Sequence, residues 1–177
     1  MTHEQLGQAI KAAAYLEGDF VLRSGRRSRY YLDKYLFETD PQLLRELARH
    51  LAKHVTPETT RIAGAELGAV ALAAATSLES GKPFVIIRNS RKADYGTGKL
   101  IEGRLNSGDQ VLLVEDIVTS GGQAVEAVRV LRESGATVQR LVAVIDREEG
   151  GAATIQQSGV PFTSLFTSTM LGIGTPK

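Results

Sequence analysis

One stretch of twelve residues, VLLVEDIVTSGG at 111–122, constrains the fold more than any other part of the chain. Its first four residues are aliphatic without polar alternation, which is typical of a strand buried on both faces of a parallel sheet. Glu115 and Asp116 follow at the carboxyl end of this strand, where open α/β sheets bind their ligands. The pattern predicts an α/β protein in which this strand lies in the middle of a mainly parallel sheet flanked by helices.

The turn after these acids has the composition of an anion site. Thr119 and Ser120 supply hydroxyls, and the two glycines at 121–122 let the backbone approach a ligand closely. A helix that begins here presents free amide groups to an anion. Acids beside such a turn suggest a phosphorylated sugar, because carboxylates accept hydrogen bonds from ribose hydroxyls while amides hold a phosphate. The alternative is an ordinary strand, turn and helix with a solvated acidic pair.

As a string, residues 111–122 resemble the motif with which type I phosphoribosyltransferases bind 5-phosphoribosyl-1-pyrophosphate (PRPP). The resemblance implies the α/β fold of that family, with a central sheet, flanking helices and a small hood. It also implies that Glu115 and Asp116 hold the ribose and that Asp116 is catalytic. The residues that would hold the rest of PRPP here are Ile117, Val118, Thr119, Ser120, Gly121 and Gly122.

Length and composition set the remaining limits. A chain of 177 residues is expected to form one domain, 1–177. With 21 basic and 20 acidic side chains, the net charge of +1 gives no reason to expect a nucleic-acid or membrane partner. The absence of cysteine excludes disulfides and thiolate chemistry. No stretch has the apolar core of a signal peptide or the ~20 apolar residues of a membrane span, so we expect a cytoplasmic protein.

The first forty residues predict a helix and a hairpin. A capping box at Thr2 and Gln5 begins a helix that we expect to end at Gly18. Residues 20–33, FVLRSGRRSRYYLD, predict two strands joined by a Ser-Gly turn, on composition alone a hairpin with a solvated basic tip. They resemble the N-terminal signature of orotate phosphoribosyltransferases. That resemblance implies a hood from 1–38 and 155–177 around a PRPP-binding core of about 39–154, with orotate contacts from Arg23 and Tyr31.

Two other segments, each at the end of a predicted strand, also resemble segments of this family. RIAGAELG at 61–68 predicts a strand and a close-packed turn before an alanine-rich helix, and it resembles the pyrophosphate-binding loop of this transferase class. The residues that would take that role are Ala65, Glu66, Leu67 and Gly68. IDREEGG at 145–151 resembles the segment whose arginine contacts orotate, which implies orotate contacts from Arg147 and Thr119. The alternative for Arg147 is an ion pair with the neighbouring acids.

Residues 88–99, RNSRKADYGTGK, are almost without apolar side chains, and four basic residues minus one acidic residue give a charge of +3. A cationic loop of this length is more often functional than a plain solvated loop. It resembles the flexible catalytic loop of orotate phosphoribosyltransferases, which closes over the active site of the neighbouring subunit in a homodimer. Its cations Arg88, Arg91 and Lys92 would then bind PRPP or act in catalysis. The spacing departs from the family pattern, with Asn89 after the first arginine, and we favour Lys92 over Arg91 as the key cation.

Together the motifs predict transfer of the phosphoribosyl group from PRPP to orotate in pyrimidine (UMP) biosynthesis, with Mg²⁺ held mainly by substrate and water. A transferase for a purine base stays open because the PRPP motif specifies the sugar. A non-catalytic PRPP-binding regulator would lack the loop cations. His50 and His54 lie four residues apart, but no third ligand is near them in the sequence, so we expect no metal site there.

Overall fold

A computed structural model of the chain describes residues 1–21, 25, 27–89 and 99–174. Helices and strands alternate along most of these ranges, as expected for an α/β protein. In chain order they are α1 (His3–Ala14), β1 (Tyr15–Val21), β2 (Arg27–Leu32), α2 (Tyr35–Glu38), α3 (Pro41–Ala52), β3 (Arg61–Ala65), α4 (Gly68–Ser80), β4 (Phe84–Ile87), β5 (Ile101–Glu102), β6 (Gln110–Val118), α5 (Gly122–Glu133), β7 (Thr137–Asp146), α6 (Gly151–Gln157) and β8 (Phe162–Thr167).

The main sheet confirms the predicted architecture. Its strand order is β5-β4-β3-β6-β7-β8, and only the short edge strand β5 pairs antiparallel. Strand β6, which contains the aliphatic run, lies between β3 and β7 in the middle of the sheet. It extends to Val118 and therefore includes both acids, Glu115 and Asp116. The carboxyl ends of the parallel strands β3, β6 and β7 lie side by side, and this edge carries the candidate site.

Helices cover both faces of the sheet. On one face Leu112 and Val114 of β6 join a core with residues of α1 and α3, and on the other Val111 and Leu113 pack with residues of α5. Successive side chains of a strand point to opposite faces, so a strand covered on both sides is apolar at every position. Burying one aliphatic side chain is favourable by roughly 1.5–3 kcal/mol, which explains the unbroken aliphatic run.

The N-terminal segment begins as predicted but its helix is shorter. Thr2 and Gln5 form the expected capping box. Helix α1 ends at Ala14, four residues before Gly18, because Tyr15 starts the hairpin: it pairs with Leu32 and its ring stacks on Tyr30 at 5.4 Å. Strand pairing therefore outweighs the helical periodicity here.

The segments expected to form a hood differ in their placement. The hairpin β1-β2 is a separate two-stranded sheet. In the C-terminal segment, β8 pairs with β7 as an edge strand of the main sheet. Among the described residues, no helix has the length and apolar character needed to cross a membrane.

Candidate active site

A cleft of about 250 Å³ lies where β6 passes into α5. Its lining includes Glu115, the turn Thr119, Ser120 and Gly121, and the first residues of the helix. Gly121 caps α5 with φ 81°, and a Cβ there would come within 2.8 Å of the Gly151 carbonyl oxygen. Glycine therefore lets this turn close tightly, and the free amides at the start of α5 face a site suited to an anion.

The two acids of β6 occupy different environments. Glu115 lines the cleft, and its Oε2 atom is buried without a hydrogen-bond partner among the described residues. Asp116 is 3 % exposed and does not line the cleft. Its Oδ1 accepts from the Ile117 amide at 2.5 Å, and its Oδ2 accepts from the Lys34 ammonium at 2.5 Å. The acid that faces the cleft is thus Glu115, while Asp116 is held beneath it.

Lys34 and Glu38, which the sequence did not single out, complete this buried acidic cluster. Burial, and then the Asp116 carboxylate, raise the pKa of Glu38, the Lys34 ammonium opposes both, and the resulting pKa is about 7. Burial, and then Asp116, likewise raise the pKa of Glu115 to about 8. Burial acts to lower the pKa of Lys34, but its contact with Asp116 outweighs burial and the net shift is upward. The cluster therefore holds protons on carboxyl groups near neutral pH.

The raised pKa of Glu38 predicts a pH dependence of stability. A carboxyl whose pKa rises from 4.5 to about 7 on folding contributes stability that is complete below pH 4.5 and is lost as pH rises through 7. The glutamine of Glu38→Gln stays neutral at every pH. The free energy of unfolding of this variant, relative to that of wild type, should therefore be about 1–3 kcal/mol higher at pH 8 than at pH 4.5. Urea unfolding at both pH values measures this gain. The exposed control Glu79→Gln should show no such trend, and a pH-independent difference for Glu38→Gln would contradict the prediction.

The turn between β3 and α4 lies against the same cluster. The Glu66–Leu67 peptide bond is cis, and Leu67 is 70 % exposed. A Cβ added to Gly68 would overlap the Asp116 carboxylate and lie 2.9 Å from Glu38 Oε1. The turn expected to bind pyrophosphate, residues 65–68, is therefore packed directly on the carboxylate of β6.

A second cleft, about 380 Å³ in volume, opens beside this turn. Ala65, Arg88 and Asn89 line it, and it shares Gly122 and Gln123 with the first cleft. Arg88 lies 3.7 Å from Glu102, while its Nε atom is buried without a partner among the described residues. The two clefts are contiguous along the first turn of α5, and Arg88 is a cation of the second one.

Asn89 ties the segment after β4 to the turn at 65–68. Its amide donates to Glu66 Oε1 at 2.7 Å, and its side-chain Nδ2 donates to the Glu66 carbonyl at 3.0 Å. The residue that departs from the family pattern therefore joins the beginning of the cationic loop to the predicted pyrophosphate loop.

Arg147 follows β7 at the same edge of the sheet. Its backbone amide donates to the Val118 carbonyl, and its guanidinium donates to the Tyr30 hydroxyl at 3.1 Å and forms an ion pair with Glu149, with Nη2 and Oε1 3.1 Å apart. Its Nε atom is buried without a partner within the described ranges. The ion pair named as the alternative for Arg147 is therefore present, and the buried Nε–H has no acceptor within the described ranges.

The hairpin brings Tyr30, and not Tyr31, against Arg147. Residues of β2 alternate between exposed and buried, so Tyr30 packs over the guanidinium while Tyr31 is 44 % exposed and lies against Phe20. The Tyr30 hydroxyl also donates to the Gly174 carbonyl. Three other predicted site residues, Arg23, Arg91 and Lys92, lie outside the described residues.

Comparisons with known proteins agree with this geometry. A family profile described as "Phosphoribosyl transferase domain" matches residues 37–157. The orotate phosphoribosyltransferase of Halobacterium salinarum is 48% identical over 169 residues, which cover 95% of each chain. The crystal structure of orotate phosphoribosyltransferase from Aeropyrum pernix is 32% identical with a TM-score of 0.81, covering 94% of this chain and 96% of that one. The Mycobacterium tuberculosis H37Rv enzyme in complex with PRPP is 28% identical with a TM-score of 0.78, covering 96% and 98%.

Proposed function

This chain belongs to the phosphoribosyltransferase family and, within it, to the orotate phosphoribosyltransferases, and from that membership we propose that it joins orotate to the phosphoribosyl group of PRPP. The products are orotidine 5-monophosphate and pyrophosphate, and the reaction is a step of de novo pyrimidine (UMP) synthesis. The observation that carries the proposal is the placement of an anion-binding turn after β6 and of Arg147 after the adjacent strand β7.

The site residues take their roles from the charges of the reaction. Displacing pyrophosphate builds positive charge on the ribose and negative charge on the leaving group, so the protein chiefly positions and stabilises charge. We assign the 5-phosphate to the turn at 119–122 and a ribose hydroxyl to Glu115, whose Oε2 lacks a partner within the described ranges. Asp116 adds negative charge beneath the ribose. Arg88, in the second cleft, is assigned to the pyrophosphate.

Orotate is assigned to the end of the site formed by Arg147 and the hairpin. Orotate is an anion with carbonyl oxygens, and a guanidinium with a free donor is suited to such an acceptor. Arg147 is already oriented by Tyr30 and Glu149, which leaves its Nε for the base. Tyr31 and Thr119 remain proposed base contacts, the first as a ring that packs on the base face.

We further propose that magnesium enters with PRPP. The acids of the site lie close together, Asp116 is paired with Lys34, and the described part of the chain contains no group of three or more His, Cys, Asp or Glu side chains arranged to hold a metal. These residues are suited to an ion carried by the substrate's oxygens and by water. When bound, magnesium neutralises part of the pyrophosphate charge.

A base panel tests the proposed reaction. Purified protein is mixed with PRPP, Mg²⁺ and either orotate, adenine, hypoxanthine or uracil, and consumption of each base is followed. Orotate alone should be consumed, with release of pyrophosphate. Consumption of a purine instead would identify a purine transferase, and PRPP binding without consumption of any base would identify a non-catalytic regulator.

The cationic loop gives a second prediction. We propose a homodimer in which the loop of each subunit reaches the active site of the other, with Lys92 as its key cation. Lys92→Ala should lower kcat at least about tenfold more than Arg91→Ala, as expected when one charge-assisted contact is specific to the transition state. Steady-state kinetics measures both variants, and the reverse order would move the role to Arg91. Sedimentation velocity tests the dimer.

A further inference from the structure

Both oxygens of the Asp116 carboxylate accept hydrogen bonds from protein groups. The Ile117 amide and the Lys34 ammonium each hold one of its oxygens at 2.5 Å, in surroundings that leave the residue 3 % exposed. A buried carboxylate whose two oxygens are both engaged has a single orientation. Lys34 immediately precedes α2 and Glu38 is the last residue of that helix, four positions on, so one helical turn delivers both side chains to the same face.

Glu38 is the third member of the cluster. It is 2 % exposed, its Oε1 atom has no hydrogen-bond partner among the described residues, and the nearby Asp116 carboxylate raises its pKa. Two buried carboxyl groups this close to each other disfavour the state in which both are charged, which raises the pKa of Glu38. Gly68 lies against this pair, since a Cβ there would overlap Asp116 and come within 2.9 Å of Glu38 Oε1. The cluster thus bridges β6 and the turn at 65–68.

We propose that Lys34 and Glu38 are positioning residues for the transfer reaction, which hold the Asp116 carboxylate against Gly68 and so fix the ribose and pyrophosphate ends of the donor site relative to each other. Neither side chain lines either of the two clefts, so both act through Asp116. The identity of the donor, PRPP, rests on the proposed function.

The charges around the cluster predict a distinctive pH effect. Lys34 is the cation that faces Glu38, Asp116 and Glu115, with Asp33 close to Glu38 and the Tyr35 ring close to Lys34. Its ammonium opposes the upward shift in the pKa of both Glu38 and Glu115. Removing it therefore raises both pKa values further. The acid limb of the pH profile of kcat/KM for PRPP should move to higher pH.

Lys34→Met tests whether Lys34 positions Asp116. Lys34→Arg is the conservative variant, and Lys53→Met, at an exposed lysine, is the matched control. Calorimetry measures the Kd of PRPP with Mg²⁺, and kinetics measures both KM values and kcat from pH 5.5 to 9. Lys34→Met should weaken PRPP binding about 10- to 100-fold, the factor for one charge-assisted hydrogen bond. KM for orotate should change less than about threefold, because that end of the site does not contact Lys34. Lys34→Arg should recover most of the loss.

Glu38 is tested by a pair of variants. Glu38→Gln keeps a neutral polar group that can donate to Asp116, whereas Glu38→Leu has no donor, so Glu38→Leu should lower kcat/KM for PRPP much more than Glu38→Gln. Lowered thermal stability with unchanged kinetic constants and pH profile would make the cluster purely structural and overturn the proposal. If wild type binds PRPP but consumes no orotate, the proposed function fails. The effect of Lys34→Met on PRPP binding still tests whether Lys34 positions Asp116.

Discussion

Replacing Arg147 by alanine is expected to lower kcat/KM for orotate by about 10- to 100-fold, since each charge-assisted hydrogen bond contributes roughly 1.5–3 kcal/mol. The guanidinium is held by Tyr30 and Glu149 and keeps a buried Nε without a partner within the described ranges, so the substitution removes an oriented donor from the base end of the site. Arg147→Lys keeps the charge but loses the planar fork, and its loss should be intermediate.

The Arg147 variants must also show where the defect lies. Calorimetry should give a Kd for PRPP with Mg²⁺ within about threefold of wild type, because the phosphate-binding turn is built by other residues. The matched control is Arg49→Ala on α3, an exposed arginine that pairs with Glu46 and lines neither cleft. An equal loss of PRPP and orotate binding in Arg147→Ala would mean that this arginine maintains the structure of the whole site and does not act specifically on the base.

The second large effect is expected at Gly68. In Gly68→Ala the new methyl group overlaps the Asp116 carboxylate, so either the turn at 65–68 or the carboxylate must move. Strain from overpacking typically costs 1–3 kcal/mol, and here it falls directly on the donor site, so kcat/KM for PRPP should drop by about 10²-fold. The melting temperature should fall as well. Kinetics with varied PRPP and thermal unfolding measure the two effects.

Gly174→Ala is the matched control for this substitution. Nothing lies within 4 Å of a Cβ at Gly174, and its carbonyl bond to Tyr30 does not involve the side chain. It should therefore behave like wild type in both assays. Wild-type constants for PRPP in Gly68→Ala would mean that the close contact between the turn and Asp116 is not needed for donor binding.

The features that could be predicted from the sequence are those encoded within one continuous stretch. The aliphatic run of β6, the turn at 119–122 and the start of α5 follow each other directly, so local pattern was enough to predict a buried central strand that ends at an anion site. The capping box at Thr2 is equally local. The α/β sheet follows from several such segments taken together.

The features that were missed depend on contacts between distant segments. Lys34 and Asp116 are 82 positions apart, and a lysine after a tyrosine-rich strand has the pattern of a solvated side chain. Glu38 gives no signal either, since its burial is set by the packing of α2 against Asp116 and Gly68. For Tyr30 and Tyr31 the hairpin register decides which ring faces Arg147, and a shift of one residue would exchange them.

Because the two clefts share Gly122 and Gln123, one ligand with two anionic groups can occupy both of them. PRPP carries an anionic group at each end of its ribose, so under the proposed assignment it is a bivalent ligand that bridges both clefts across one rigid helical turn. Bivalent attachment strengthens binding without any new contact, because the second group binds intramolecularly. Transfer to the base severs that link. Orotidine 5-monophosphate then keeps the first cleft and the base end of the site, and pyrophosphate keeps only the second cleft, so neither product bridges the two clefts as PRPP does.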